Sequence, residues 1–419
     1  MQIEVVTIGD ELLLGFTIDT NGAWLARELA THGITVVRRT SVGDGAEDIA
    51  AGVGEALART GAVITTGGLG PTSDDLTKPA IATLFGRALY EDAQVVASLH
   101  RRWKSLGRSG EIPRSNLQQA MLPVGAGILA NAHGTAPGIW LEDERGRWVA
   151  MLPGVPREMR GMFADQLLPR LLQRATGAPT VVRSHTIRTT GIAESALSDR
   201  IRALEGFDVE GLGLAYLPGW EGVDLRLTAR NLAAADADSR LARAAAVLRA
   251  VAGEYAYGEG NDDLAATVLA TLREAGKRIA VAESCTGGLL GARLTAIPGS
   301  SDVMLGGIIA YHNNVKMHAL GVRADTLQTH GAVSEETARE MAAGARRVLG
   351  AEVGVSTTGI AGPDGGTPEK PVGTVCIAAD DEGTVKSFRA IMIGDRQEIR
   401  QRSAQSALSL VRRLLQGTA

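Results

Sequence analysis

The sequence predicts a mainly α/β protein: two three-layer α/β sandwich domains joined by a small α+β domain. Three observations carry this. At 419 residues the chain is too long for one ordinary core. Short apolar runs alternate with helical patterns of ten or more residues near both ends, as in parallel sheets covered by helices. Between them the order changes to strand, helix, two strands, helix, within fewer than a hundred residues. Domain limits are expected at 1–174, 175–257 and 258–419, the first break falling at the Gly/Pro-containing stretch Ala175-Thr176-Gly177-Ala178-Pro179.

In the first domain, residues 2–8 read as a strand ending at Gly9-Asp10-Glu11, and Asp19-Thr20-Asn21 offers the cap of a helix placed by Trp24, Leu25 and Leu29. Val36-Val37 is a second strand. Val42-Gly43-Asp44 opens a helix through Ile49, Val53 and Leu57, and Ala62–Thr66 is a buried third strand. Ligands of such sheets bind beyond the carboxyl ends of strands. This makes Gly67-Gly68-Leu69-Gly70-Pro71-Thr72-Ser73-Asp74-Asp75 the first candidate site, with the next helix expected to begin around Ser73–Asp75. The glycines permit close backbone approach to a phosphate, although the spacing is neither that of a Walker loop nor of a dinucleotide fold. Asp74 and Asp75, with Asp10, Glu11 and Asp44, are the right residue types for a divalent cation; the alternative is that the pair sits in a helix's first turn, where the dipole favours acids. Ile139–Leu141 and Trp148–Leu152 complete the strands, the latter closed by Pro153-Gly154-Val155-Pro156.

In the middle segment, a strand at 181–189, a helix at Ala193–Leu204, a hairpin of Gly213–Leu217 with Val223–Ala229, and a helix at Ala233–Val251 are expected. Gly219-Trp220-Glu221-Gly222 has the spacing of an RNA-binding KH loop, but it falls in the hairpin, carries Glu221 and lacks basic neighbours.

The last domain is organised on Ala280-Val281-Ala282-Glu283-Ser284-Cys285-Thr286-Gly287-Gly288, a buried strand running into a hydroxyl- and glycine-rich turn before a helix with Leu289, Leu290, Leu294 and Ile297. Ser and Thr here either cap that helix or supply a nucleophile beside unpaired N–H groups near Thr286–Gly288. Loops after Ala282, Ala310 and Thr357 converge on one rim if the sheet is parallel, and bring Ser284, Tyr311, Lys316 and Thr358–Gly366 together. An amidase needs a nucleophile, a group to take its proton and oxyanion donors. Ser284 fits the first role and a buried Lys316 the second, with Tyr311 able to relay a proton. Only six residues of the chain are lysine, which adds weight to one beside this turn. Cys285 is the rival nucleophile, with His312 as its nearest candidate partner. Arg396 and Arg400 lie one turn apart on the terminal helix and either could hold a substrate phosphate.

Composition sets outer bounds. The chain is 45% hydrophobic and 21% charged, as in globular proteins, and a net charge of −4 with 4% aromatic residues argues against nucleic acid or an anionic membrane as partner. Two cysteines, and an opening that runs straight into a strand, fit a cytoplasmic protein.

Over nearly its whole length the sequence resembles the CinA family (competence/damage-inducible protein A). Gly9–Leu13, Asp19–Asn21, Val42–Asp44 and Gly67–Asp75 resemble blocks of the MoaB/MogA molybdopterin-binding fold. The middle segment is similar to the family's KH-like domain. Ala282–Gly288, Tyr311-His312-Asn313, Lys316, Thr358–Pro363 and Gly394-Asp395-Arg396 resemble the PncC type of nicotinamide mononucleotide (NMN) deamidase. The resemblance implies hydrolysis of NMN to nicotinate mononucleotide and ammonia, with Ser284, Tyr311 and Lys316 catalytic. It implies Glu283, Thr286, Gly287, Gly288, Asn313, Gly359, Ala361, Gly362 and Arg396 or Arg400 at the substrate. For the first domain it implies an ADP-ribose pyrophosphatase dependent on Mg, Mn or Co. Its nucleotide is expected at Asn21, Gly67, Gly68, Gly70, Pro71, Thr72, Lys78, Pro153 and Gly154, and its metal at Glu11, Asp44, Asp74 and Asp75. Lys78-Pro79 stands where Arg-Glu is expected. A homodimer is implied too. The alternatives are a molybdopterin-binding or cofactor-transfer protein and a non-catalytic partner of the competence machinery.

Overall fold

The computed structural model describes residues 1–105, 107, 110–175, 180–204, 209 and 211–418. Most of the stretch at which the first domain break is expected, residues 176–179, lies outside these. Contacts divide the chain into two units, 1–183 with 230–238, and 184–229 with 239–419.

The first sheet has six strands, β1 (Gln2–Ile8), β2 (Thr35–Val42), β3 (Ala62–Thr66), β6 (Gly127–Leu129), β7 (Gly138–Glu142) and β8 (Trp148–Leu152), in the order β2-β1-β3-β8-β7-β6. The first four of that order are parallel and the last two antiparallel. Alternate residues of β1 enter two cores, Val6 and Ile8 on one face, Ile3 and Val5 on the other. Both faces are therefore buried, and the polar Glu4 within the strand is paired with Arg59. Asp19 caps the Thr20–Thr31 helix by accepting the Gly22 N–H. A two-stranded ribbon, β4 (Leu89–Glu91) with β5 (Met121–Pro123), is an addition to the expected elements.

The middle sheet runs β10-β11-β9-β12, with β9 at Thr180–Thr189, β10 at Gly213–Pro218, β11 at Val223–Ala233 and β12 at Ala256–Glu259. Strand β12 pairs antiparallel with β9, so a boundary after residue 257 cuts through it. Its four residues are too few to show a period, and their partner lies some seventy residues earlier. The Gly219–Gly222 loop closes the β10–β11 hairpin, with the Gly219 N–H on the Gly222 carbonyl. Its Trp220 ring lies under the Arg293 guanidinium, 5.3 Å away, and Glu221 pairs with Arg188.

The last sheet runs β14-β13-β15-β16-β17, from β13 (Ile279–Glu283), β14 (Met304–Ile309), β15 (Val353–Gly359), β16 (Thr374–Asp381) and β17 (Thr384–Ile391). Strands β13, β14 and β15 are parallel, so their carboxyl ends share one rim; β16 and β17 are antiparallel. Ile279 and Val281 enter one core, Ala280 and Ala282 the other. Ser334 caps the Glu335–Leu349 helix, and Asp395 with Glu398 forms a capping box on the Arg396–Leu415 helix. No helix among the described residues is long and apolar enough to cross a membrane.

Candidate active site

Ser284 follows β13 directly, and its N–H donates to the Thr357 carbonyl of β15 at 2.9 Å. Lys316 reaches it from the Asn313–Leu320 helix, 32 residues on. Its Nζ lies 3.0 Å from Ser284 Oγ, 2.7 Å from the Ala310 carbonyl and 3.2 Å from the Tyr311 carbonyl. Lys316 is 1% exposed. Burial lowers the pKa of its ammonium, opposed only by the nearby Cys285 sulfur. The pair borders a cavity of about 200 Å³ whose lining includes Tyr311, Asn313, Thr358, Gly359, Ala361 and Arg396. A larger cavity, about 540 Å³, runs along the Ala93–Ser105 helix and joins none of the predicted residues.

Several expectations are corrected here. The Glu283 side chain does not enter the pocket. It is 1% exposed and accepts the N–H groups of Gly288, Leu290 and Gly291 at 2.9, 3.0 and 2.8 Å. It thereby takes the helix-start donors that the turn was expected to offer an anion, and it, not Ser284 or Thr286, caps that helix. Gly287 and Gly288 have positive φ, 59° and 97°, which folds the chain back so that this contact closes. The Gly287 N–H is likewise occupied, by the Ser284 carbonyl. The Thr286 hydroxyl is buried against Thr357 Oγ1 at 2.6 Å. The Tyr311 side chain is 61% exposed, and its hydroxyl accepts from Arg396 at 3.1 Å; it supports Lys316 through its carbonyl.

The two arginines separate. Arg396 lines the cavity and donates to the Gly362 carbonyl and Tyr311. Arg400 donates from Nε and Nη2 to the Thr286 carbonyl at 3.2 and 2.8 Å. Among the described residues Cys285 has no imidazole partner: His312 Nδ1 accepts the Asn314 N–H, and burial pushes the thiol up to about 12.

In the first domain, Asn21 Nδ2 donates to the Gly154 carbonyl and Thr66 Oγ1, while Thr66 Oγ1 donates to the Pro153 carbonyl. A cleft of about 140 Å³ lies there, lined also by Glu11 and Asp19. The glycine loop is closed on itself. Asp75 accepts the Gly70 N–H, the Thr72 N–H and the Thr72 hydroxyl, so Gly70 and Thr72 do not present those donors outward. Pro71 lies between them. Gly67 and Gly68 take positive φ, and the helix begins at Thr77, two residues beyond the acidic pair. Lys78 is buried beneath, on the Gln118 carbonyl at 2.6 Å, and burial lowers its pKa to about 8. Asp10 and Asp44 turn toward each other's main-chain N–H groups. Glu11 folds against Gly9, and Asp74 is exposed. Among the described residues no three acidic, histidine or cysteine side chains form a group able to hold a metal ion. Glu11, Asp44, Asp74 and Asp75, as placed, therefore do not fit the divalent ion expected of them.

Fold and site together define a multidomain α/β protein with a serine–lysine pair at the rim of its C-terminal sheet. Residues 4–173 match the molybdopterin binding domain family, 184–258 the CinA KH domain and 261–415 the CinA C-terminal domain. The CinA-like protein of Gemmatimonas aurantiaca is 61% identical over 414 residues, 99% of this chain and 96% of that one. The CinA-like protein of Synechocystis is 42% identical over the full length of both. The chain belongs to the CinA family. A solved competence/damage inducible protein from Agrobacterium tumefaciens is 42% identical, covering 35% of this chain and 90% of that one, with a TM-score of 0.35.

Proposed function

We propose that the C-terminal domain is a serine amidase that converts NMN to nicotinate mononucleotide and ammonia. The observation that carries this is the 3.0 Å contact between Lys316 Nζ and Ser284 Oγ, two side chains that are both buried. A neutral Lys316 keeps two N–H donors for the Ala310 and Tyr311 carbonyls, which leaves its lone pair facing the Ser284 hydroxyl. Ser284 Oγ attacks the carboxamide carbon as its proton passes to Lys316. The resulting ammonium protonates the amide nitrogen, which leaves as ammonia; water then cleaves the acyl-serine with the same base. The cationic ring of NMN makes that carbon electron-poor, and Arg396, at the cavity wall, is the proposed partner of its phosphate. The test is ammonia release from NMN by wild type and by Ser284→Ala; equal rates refute the serine mechanism.

For the N-terminal domain the proposal is binding of a phosphorylated ligand at the Asn21–Gly154 cleft, with hydrolysis of ADP-ribose to AMP and ribose 5-phosphate as its reaction. AMP release with and without added Mg, Mn or Co tests it. A second reading, pterin binding without turnover, is favoured by the carboxylates that turn into their own loops. Tight pterin binding with no AMP formed under any metal selects it. A cytoplasmic homodimer completes the proposal, and sedimentation equilibrium reads the assembly.

A further inference from the structure

The turn that carries Ser284 is held by two side chains that take no part in the proton transfers. Glu283 accepts the Gly288, Leu290 and Gly291 N–H groups, and Arg400 grips the Thr286 carbonyl with two donors. The Ser284 N–H is on Thr357, the Gly287 N–H on Ser284 and the Leu289 N–H on Thr286. Among the described residues, this leaves Cys285 and Thr286 as the two amides of the turn with no oxygen partner. Both lie beside the Cys285 sulfur, which itself lines the Ser284 cavity. The N–H of the residue after a nucleophile is a recurrent oxyanion donor, because the turn that exposes the nucleophile also exposes that amide.

We propose that the Cys285 N–H, with that of Thr286 beside it, forms the oxyanion hole, and that Arg400 is a positioning residue that holds Thr286 in place. This rests on the amidase reading but departs from the roles expected of Gly287, Gly288 and Arg400. Arg396 is one turn away and belongs to the substrate; Arg400 belongs to the turn.

Two measurements test it. The first is kcat and KM for ammonia release from NMN. The second is the rate at which a fluorophosphonate modifies Ser284, followed by intact mass. There Ser284 Oγ bonds to phosphorus, fluoride leaves and Lys316 takes the hydroxyl proton, so the natural substrate is not needed. Misplacing a donor by about 1 Å costs on the order of 100-fold. Arg400→Ala is expected to lower kcat about 10- to 100-fold with KM within about 3-fold, and to slow phosphonylation similarly. Arg400→Lys, which keeps one donor for the Thr286 carbonyl, is expected to recover part of both, and it carries the test if the alanine variant melts early. A raised KM with kcat retained, or no change in either rate, overturns the proposal. If wild type releases no ammonia from NMN but the phosphonylation loss holds, the substrate reading fails and this one stands.

Discussion

Replacing Lys316 by methionine isolates the amine from its stem. The side chain is 1% exposed and makes three polar contacts through Nζ alone. Methionine fills most of the volume but leaves the Ala310 and Tyr311 carbonyls without that donor. At about 1–3 kcal/mol per unpaired buried acceptor, the loss is roughly 2–6 kcal/mol, offset by no longer burying an amine. The variant is therefore expected to fold, with a modestly lower Tm. Its kcat for ammonia release from NMN is expected to fall about 100- to 10,000-fold, the range for losing a positioned base. Two pH signatures accompany this. The active form is the neutral amine, so wild-type kcat/KM rises with pH through a pKa below the ordinary lysine value of 10.5. Between that depressed pKa and 10.5 the unfolded chain holds a proton that folded Lys316 has released. Wild-type stability therefore gains with pH across this window relative to Lys316→Met. A methionine variant within about 3-fold of wild-type kcat, or a wild-type rate that falls as pH rises through this window, would refute the assignment of Lys316 as base.

Other outcomes follow from the same contacts. Arg396→Ala removes the one guanidinium that lines the cavity among the described residues and is expected to raise KM for NMN about 10- to 100-fold, the worth of a hydrogen bond to a charged group; an unchanged KM removes Arg396 from the substrate. Glu283→Gln keeps one oxygen for three N–H donors and turns an NH₂ toward them. A cost of about 2–5 kcal/mol and a lower Tm are expected, and melting indistinguishable from wild type contradicts the cap. Cys285 and Cys376 are both buried, and burial pushes their thiols up to about 12 and about 11. A disulfide exchange reagent at pH 8 is expected to leave both unreacted until guanidinium is added; rapid native labelling at Cys285 reopens it as a nucleophile.

What could be read from the sequence was what repeats or stands out locally. Strand β13 was legible because both of its faces are buried, so Ile279–Ala282 carry no polar interruption. Asp19 announces its helix because a short acceptor ahead of a helical apolar pattern has few other uses. Lys316 stood out through the scarcity of lysine. What was missed depends on distance or on competition for the same donors. β12 requires a partner in β9. The helix after Asp75 starts late because Thr72 and Gly70 occupy that carboxylate first. Glu283 reads as an ordinary strand-end acid; that it reaches Gly291 follows from the left-handed pair Gly287-Gly288, whose φ the letters permit without dictating. Arg396 and Arg400 share a spacing but not a destination, since only the Thr286 carbonyl, over a hundred residues away, decides between them.

The two candidate sites use one device to opposite ends. Each glycine-rich loop leaves main-chain N–H groups unpaired after a strand, and each satisfies several with a carboxylate of its own, Asp75 in one and Glu283 in the other. Exposure separates them. Glu283 is shut away at 1%, so displacing it would strip a buried carboxylate of three donors, and an incoming anion has no route to that exchange. The turn behaves as a fixed scaffold, which is what a preorganised nucleophile requires. Asp75 sits in a loop whose Thr72 is exposed, where water can take over its hydrogen bonds at little cost. The Asp75 loop can therefore exchange its hydrogen bonds with solvent, whereas Glu283 is a permanent part of the frame that holds Ser284.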